Sequence, residues 1–397
     1  MTKLDEFIQE LCPDGVKYLP IPELFITRNG YTPSKANNEF WENGTIPWFR
    51  MEDIRENGRI LTTATQYVSE KAVKGKLFPA DSIIIATSAT IGEHALIKVP
   101  SLANQRFTYL TLKDEFKDCV DMMFVFYYCF RLDEYCKSHL NQGNFASVDM
   151  KQFAAFKFPV PPLPVQCEIV RILDNFTELT AELTAELTAE LTARKQQYAY
   201  YRDKLLTFGD VRGGATSDVV RKTLAEIADI STGSSNTDDA VKGGCYPFFV
   251  RSQQLLAKDE YEYDEEAIIT AGDGVGVGNV FHYINGKYAL HQRAYRIHPA
   301  TDGLLGKYLY HYFVATFPKY IGQQMYQGSV PSIRRPMLNK FQVAIPSLDV
   351  QSRIVNVLDN FDAICTDLSS GLPAEIEARQ KQYEYYRDKL LSFEEKI

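Results

Sequence analysis

Residues 156–208 recur at 341–393, at a constant offset of 185 and without a gap, with about half the positions identical. The first block opens PLPVQCEIVRILDNF (Pro162 to Phe176) and the second SLDVQSRIVNVLDNF (Ser347 to Phe361). They close QQYAYYRDKLLTF (Gln196 to Phe208) and KQYEYYRDKLLSF (Lys381 to Phe393). Two such units so far apart mean two like domains rather than a solenoid. Weaker echoes precede each block. IPWF (Ile46 to Phe49) answers YPFF (Tyr246 to Phe249), Asn104-Gln105-Arg106 answers His291-Gln292-Arg293, Gln142-Gly143 answers Gln327-Gly328, and Ser147 answers Ser332. The chain therefore reads variable, conserved, variable, conserved.

The conserved blocks are expected to be helical. Pro164 sits where a first helical turn tolerates proline, and Ile169, Leu173 and Phe176 follow helical spacing. Three Thr-Ala-Glu-Leu units run from Thr180 to Leu191. With Leu179, they place Leu183, Leu187 and Leu191 on a stripe that drifts slowly around a helix. Glu182, Glu186 and Glu190 form a solvated acidic stripe. In the second copy Ser369-Ser370-Gly371-Leu372-Pro373 is a stop-and-restart signal, so a kink or break is expected there and the first helix should be straighter.

The variable blocks read as small α+β domains. Ser82–Ala86, Phe107–Leu112, Ala267–Thr270 and Ala294–Ile297 are short apolar runs bounded by turn residues, as strands are. Residues 122–137 and 304–317 look helical. The fold class is thus α+β: two similar domains joined by two long helices. If the second helix returns along the first as an antiparallel coiled coil, the two domains sit inverted about a pseudo-two-fold axis. The acidic start of the chain, residues 1–15, would pack near the C-terminal helix end.

Composition sets bounds. An aromatic content of 13% can fill real cores. The seven scattered cysteines include no Cys-x-x-Cys pair and read as reduced thiols of a cytoplasmic protein. Cys129 and Cys136 share a helix face, but no histidine pair accompanies them as a zinc site needs. No apolar run reaches the ~18 residues of a membrane span. Net charge is −8, yet residues 16–156 hold 16 basic and 16 acidic side chains and residues 209–340 hold 14 of each. The acid lies at the ends, and no basic stripe announces nucleic acid.

A four-residue helical unit works as a ruler. It adds ~6 Å and ~40° beyond a full turn, against ~3.4 Å and ~35° for a base pair. Two inverted readers on such a ruler match a split DNA site whose middle is unread. The whole chain resembles the specificity (S) subunit of Type I restriction-modification enzymes. The carriers are the paired VQ…LDNF segments, the Thr-Ala-Glu-Leu repeat between two variable blocks, and the IPWF and YPFF segments. The resemblance implies target recognition domains at 16–156 and 209–340 and helical spacers at 157–208 and 341–397. It also implies partners: double-stranded DNA, two methyltransferase (M) subunits and motor-nuclease (R) subunits, with no membrane. AdoMet would belong to the M subunits and ATP/Mg to the R subunits; no cofactor or metal is expected on this chain. A two-headed coiled-coil adaptor that binds proteins is the alternative.

Catalytic motifs are absent, so the chain is expected not to be an enzyme. No Asn/Asp-Pro-Pro-Tyr/Phe segment for adenine methylation occurs. The glycine run Gly272–Gly278 lacks the helix that a dinucleotide fingerprint requires. Residues 279–290 read instead as strand, turn, strand, and the run as a flexible or DNA-approaching loop. Candidate DNA contacts are side chains able to pair with base edges or phosphates. In the first domain these are Arg50, Gln105, Arg106, Asn141, Gln142, Asn144 and Ser147. In the second they are Arg251, Gln292, Arg293, Gln323, Gln327, Ser332, Arg334 and Arg335, with Gln324 and Ser329 in the same polar loop. Residues bonded within their own sheet or a solvated loop would show the same pattern. Tyr198, Tyr200 and Tyr201, with Tyr383, Tyr385 and Tyr386, form twin clusters suited to an interhelix core or to partner anchors. Tyr198 and Tyr383 fit the core, while Tyr200, Tyr201, Tyr385 and Tyr386 are the partner-binding candidates.

Overall fold

The structure is a computed structural model and describes residues 2–141, 146–208, 219–323, 332–366 and 371–396. The chain divides into two compact units, Met1–Thr184 with Ala378–Ile397, and Ala185–Glu377. The division falls inside helices. The continuous helix Leu163–Leu206, 44 residues long, gives its first half to the first unit and its second half to the other. The boundary lies within the Thr-Ala-Glu-Leu repeat. In the second copy the helices are Leu348–Thr366 and Leu372–Leu390, with Gly371 outside both and Pro373 in the first turn of the second. Ser369 and Ser370 lie outside the described residues.

In the first unit a five-stranded sheet runs in the order Phe25–Asn29, Phe107–Leu112, Ser82–Ala86, His94–Ile97, Ile60–Leu61. Its central strand, Ser-Ile-Ile-Ile-Ala, is buried throughout because both faces are covered. Ile83 and Ile85 join the cluster under helix Met122–Ser138, while Ile84 and Ala86 join the cluster of Trp48, Phe49, Phe107 and Tyr109. The period-two alternation of a strand divides the two cores. The aromatic strand Ile46–Phe49 lies in a second, three-stranded sheet between Tyr67–Val68 and Leu102–Ala103.

The second unit repeats this plan with one six-stranded sheet, ordered Ala228–Thr232, Ala294–Pro299, Tyr263–Ala271, Phe281–Leu290, Tyr246–Phe249, Leu256–Lys258. Ile268 faces the core beneath helix Gly306–Gly322, and Ile269 faces the cluster of Phe249 and Tyr288. One sequence reading fails here. Residues 281–290 are a single strand, not strand, turn, strand. Asn285-Gly286 has hairpin chemistry, but Tyr263–Ala271 pairs straight past it, setting Glu266 opposite Asn285 and Glu265 opposite Gly286. Continuous pairing with the partner strand overrides the local turn preference.

Each variable block is closed by a two-stranded tie, Tyr18–Pro20 with Lys157–Pro159 and Val220–Thr223 with Gln342–Ile345. The duplicated helices then lock on through matching contacts. Gln166 is fully buried; its Oε1 accepts the Asp121 N–H at 2.8 Å, and its Nε2 donates to the Cys119 and Pro161 carbonyls at 2.8 and 2.6 Å. Gln351 repeats this with the Leu305 N–H at 2.9 Å and the Gly303 and Pro346 carbonyls at 2.9 and 2.8 Å. Asp121 and Leu305 are the N-caps of the long helices of the two variable blocks, so each glutamine fixes a conserved helix to the start of a variable one. About two turns further along, Asp174 accepts from the Tyr127 hydroxyl at 2.6 Å, and Asp359 pairs with His311 Nε2 at 2.9 Å.

The far ends of the helices complete the cores. Leu391 packs with Ile169 and Leu173 in the first unit, and Leu206 with Ile354 and Leu358 in the second. Phe176 meets Tyr386, and the matching Phe361 meets Tyr201, at centroid distances of 6.2 and 6.0 Å. The chain's ends also meet: the Val16 N–H donates to the Glu394 carbonyl at 2.8 Å and the Lys396 N–H to the Val16 carbonyl at 2.9 Å. Cys129 and Cys136 are buried thiols inside the first core, both raised by burial. Among the described residues no cluster suits a metal ion and no helix is long and apolar enough to cross a membrane.

Removing either buried glutamine strands an N–H and two carbonyls. Gln166→Ala and Gln351→Ala should each cost roughly 2–3 kcal/mol. Hydrogen exchange should show the loosening confined to residues 1–184 with 378–397 for the first and to 185–377 for the second. Unchanged protection in both would contradict this role.

Candidate nucleic-acid interface

One turn is built twice. After the strand that pairs in parallel with the end of the aromatic strand, the chain turns through Asn104-Gln105-Arg106 in the first unit and His291-Gln292-Arg293 in the second. The Asn104 N–H donates to the Phe49 carbonyl at 3.0 Å and the His291 N–H to the Phe249 carbonyl at 2.9 Å. Asn104 Oδ1 then accepts the Arg106 N–H at 2.9 Å, as His291 Nδ1 accepts the Arg293 N–H at 3.0 Å. The glutamines are held by the loop after the first sheet strand: Thr32 Oγ1 donates to Gln105 Oε1, and Gln292 Nε2 donates to Asn236 Oδ1.

The same turn carries the next layer. The arginine carbonyls accept from Thr87 N–H at 2.9 Å and Gly272 N–H at 2.8 Å. The carbonyls of Thr87 and Gly272 accept in turn from Val148 N–H at 2.9 Å and Ile333 N–H at 2.8 Å. Ser88 stands opposite Ser147, and Asp273 opposite Ser332. Arg106, Ser147 and, through its amide bonds to Ser147 Oγ and the Val148 carbonyl at 3.2 and 3.0 Å, Asn141 are thereby gathered on one side of the first unit. Arg293 and Ser332 are gathered likewise in the second.

The electrostatics of the two copies differ. In the first, the Arg106 side chain is exposed and has no ion pair or hydrogen bond among the described residues. In the second, Asp273 Oδ1 accepts from Arg251 Nη1 at 2.7 Å and Oδ2 from Arg293 Nη1 at 3.1 Å. Burial tends to raise the Asp273 carboxyl, but the hydrogen bond and charge of Arg251, then Arg293, outweigh it and leave it below the ordinary value. Both arginines line an open polar hollow of about 470 Å³ with Asn236, Thr237, Asp238, Asp239, His291 and Gln292. His291 is buried, and desolvation, then Arg251, lowers its pKa. The glycine run places Asp273: a Cβ on Gly276 would lie 2.3 Å from the Arg251 carbonyl. The element that follows is the strand from Phe281, not the helix of a phosphate-binding fingerprint.

The family profile described as Type I restriction modification DNA specificity domain matches residues 13–193 and 216–378. The chain belongs to the Type I restriction-modification specificity subunits. It is 44% identical over 373 residues to the EcoprrI specificity subunit of Escherichia coli, covering 90% of each. It is 34% identical over 284 residues to the EcoR124I/EcoR124II specificity subunit of Escherichia coli, covering 64% of this chain and 68% of that one. Among solved structures, a chain from a study of complex assembly and conformational transition in a type I R-M system superposes with a TM-score of 0.65. It shares 15% identity, with 95% and 97% of the two chains covered. The HsdS subunit from Thermoanaerobacter tengcongensis superposes at 0.51 with 13% identity, covering 96% of this chain and 94% of that one. These structures share the fold: mixed α and β with a long helix between two repeated domains.

Within this specificity-subunit fold the remaining candidates separate. Arg50 directly follows Phe49, whereas Arg251 is two residues past Phe249, so the two are not equivalent. Arg50 Nη2 donates to Thr65 Oγ1 at 3.1 Å and the guanidinium lies over Trp48. Arg334 and Arg335 are exposed at the start of helix Arg335–Asn339, and Gln323 caps the end of Gly306–Gly322. Gln142, Asn144, Gln324, Gln327 and Ser329 lie outside the described residues. Tyr200 and Tyr385 are 61% and 63% exposed, Tyr201 and Tyr386 less so because each packs on the facing phenylalanine. Leu187 is buried and Leu179 exposed, while Leu183 and Leu191 are half-buried. Leu179 and Leu183 border a groove of about 230 Å³ with Phe176, Tyr383 and Tyr386. Sequence reading missed Asp273, Asn236 and Thr32. Only Asp273 carried a signal, as an acid within the glycine run.

His282, His291 and His311, all in the second unit, are lowered from 6.5, chiefly by burial. The unfolded chain therefore takes up protons first. Their contribution to stability is intact above pH 6.5 and is lost as pH falls towards the folded values. Chemical unfolding between about pH 7.5 and about pH 5.5 should show the second unit weakening. His291→Asn, which copies Asn104, should make that dependence shallower, His282 and His311 retaining the rest; an unchanged slope would contradict the assignment to His291.

Proposed function

We propose that this chain is the non-catalytic subunit that gives a Type I restriction-modification complex its DNA sequence specificity. Each unit reads one half of a split site on double-stranded DNA. Residues 16–156 and 209–340 are the recognition domains, 157–208 and 341–397 the spacer helices, and 1–15 the segment that joins the chain's ends. Two M subunits dock on the helices, with Tyr200, Tyr201, Tyr385 and Tyr386 as anchors, and R subunits join through the same core. Methylation with AdoMet and ATP/Mg-dependent cleavage belong to those partners.

The observation that carries this reading is the repeated Gln-Arg turn. One hydrogen-bond frame holds it in both units, while the side chains around it differ, as two readers of different bases require. Arginine and glutamine are the side chains that pair with guanine and adenine edges. Phosphate contacts from Arg50, Asn141, Ser147, Ser332, Arg334 and Arg335 would fix register without carrying sequence. Gln142, Asn144, Gln323 and Gln327 belong to the same polar loops and are included. The Thr-Ala-Glu-Leu helix supplies the spacing, and the EcoprrI relative has the specificity role in its name over nearly the same length.

Deleting one unit, Thr184–Leu187, should shorten the unread gap by about one base pair, since ~40° of helix rotation matches ~35° of DNA twist. Helix tilt or DNA deformation absorbs the difference in rise. Both half-sites should stay the same when methylated positions are mapped. Altered half-sites around an unaltered gap would refute the ruler.

A further inference from the structure

The two copies of the Gln-Arg turn differ most in charge at one position. Where the first unit has Ser88 opposite Ser147, the second has Asp273 opposite Ser332. That carboxylate gives one oxygen to each of two arginines, and each arginine commits only Nη1 to it. A guanidinium has five N–H donors, so both retain donors for a ligand. Their side chains are 40% and 60% exposed, while Asp273 is 24% exposed behind them. The hollow that they line also contains Asp238 and Asp239. The local balance is thus two cations against three anions, a poor seat for a bare phosphate.

We propose that Asp273 is a positioning residue for specificity. It fixes Arg251 and Arg293 as a preset pair of donors aimed at a guanine edge in the second half-site, and it withholds their charge from the phosphate backbone. This rests on the proposed DNA-reading function. A guanine offers two acceptors, N7 and O6, to a correctly oriented guanidinium. An arginine already neutralised by a carboxylate gains less from counterion release. Asp273 therefore trades general affinity for discrimination. Arg106, with no such acid in its frame, adds general affinity to its reading of the first half-site.

The test compares the full chain, assembled with its methyltransferase partner, as wild type, Asp273→Ser and Asp273→Asn. Methylated positions are mapped, and binding to non-cognate duplex is measured against salt. Exposed ion pairs of this kind hold little of a fold's stability, so the variants remain assembled. The serine variant should bind non-cognate DNA more tightly and with a steeper salt dependence, by about one to two phosphates. It should lose ~10- to 100-fold discrimination at one guanine of the second half-site, with the first half-site unchanged. The asparagine variant keeps the shape and one acceptor; it should show the same rise in non-cognate binding with a smaller loss of discrimination. Weaker binding to all DNA, or equal loss at both half-sites, would make Asp273 merely structural and overturn the proposal. So would an unchanged second half-site. A wild-type complex that methylates no split site would instead overturn the DNA-reading function itself.

Discussion

Two apolar seams hold the architecture together. Leu391 packs with Ile169 and Leu173, and Leu206 with Ile354 and Leu358. In sequence, Leu391 is more than two hundred residues from the helix start that it meets, so the first variable block does not complete its core with its neighbouring segments alone. Burying such side chains is worth roughly 1.5–3 kcal/mol each. That energy couples the far end of each long helix to a recognition block. The helices are therefore part of the fold of each unit as well as its extension, and changes to them act on the recognition blocks they complete.

On those seams the chain builds one frame twice and varies what it presents. The buried glutamines, the two-stranded ties and the backbone bonds of the Gln-Arg turn recur almost bond for bond. Backbone bonds are indifferent to side-chain identity, so the frame survives divergence of the blocks around it. The variation is electrostatic: an unclamped Arg106 in one unit and two clamped arginines in the other. A duplicated frame with separable charge settings suits the proposed role, in which each half reads a different sequence.

Much of this was legible in the sequence because duplication is a self-comparison. The offset of 185 located both helical blocks, glycine and proline marked the Gly371-Pro373 interruption, and the Gln105-Arg106 and Gln292-Arg293 pairs matched at a nearby offset. Short apolar runs bounded by turn residues identified Ser82–Ala86 and Phe107–Leu112 as strands. What stayed hidden depends on tertiary pairing. Asn285-Gly286 looks like a turn until the partner strand is seen to run past it. The clamp on Asp273 joins three segments distant in sequence, and no local pattern announces it. Nor does spacing reveal which segment completes each core, since both helical blocks carry the same leucines.

The central claim is that the two repeated frames are two independent readers on one chain. The most direct measurement is to map methylated bases in DNA exposed to this chain assembled with its methyltransferase partner. The account predicts a single split motif, with two different short half-sites around a fixed unread gap. A stable, active complex that methylates one continuous motif, or methylates without sequence preference, would contradict it.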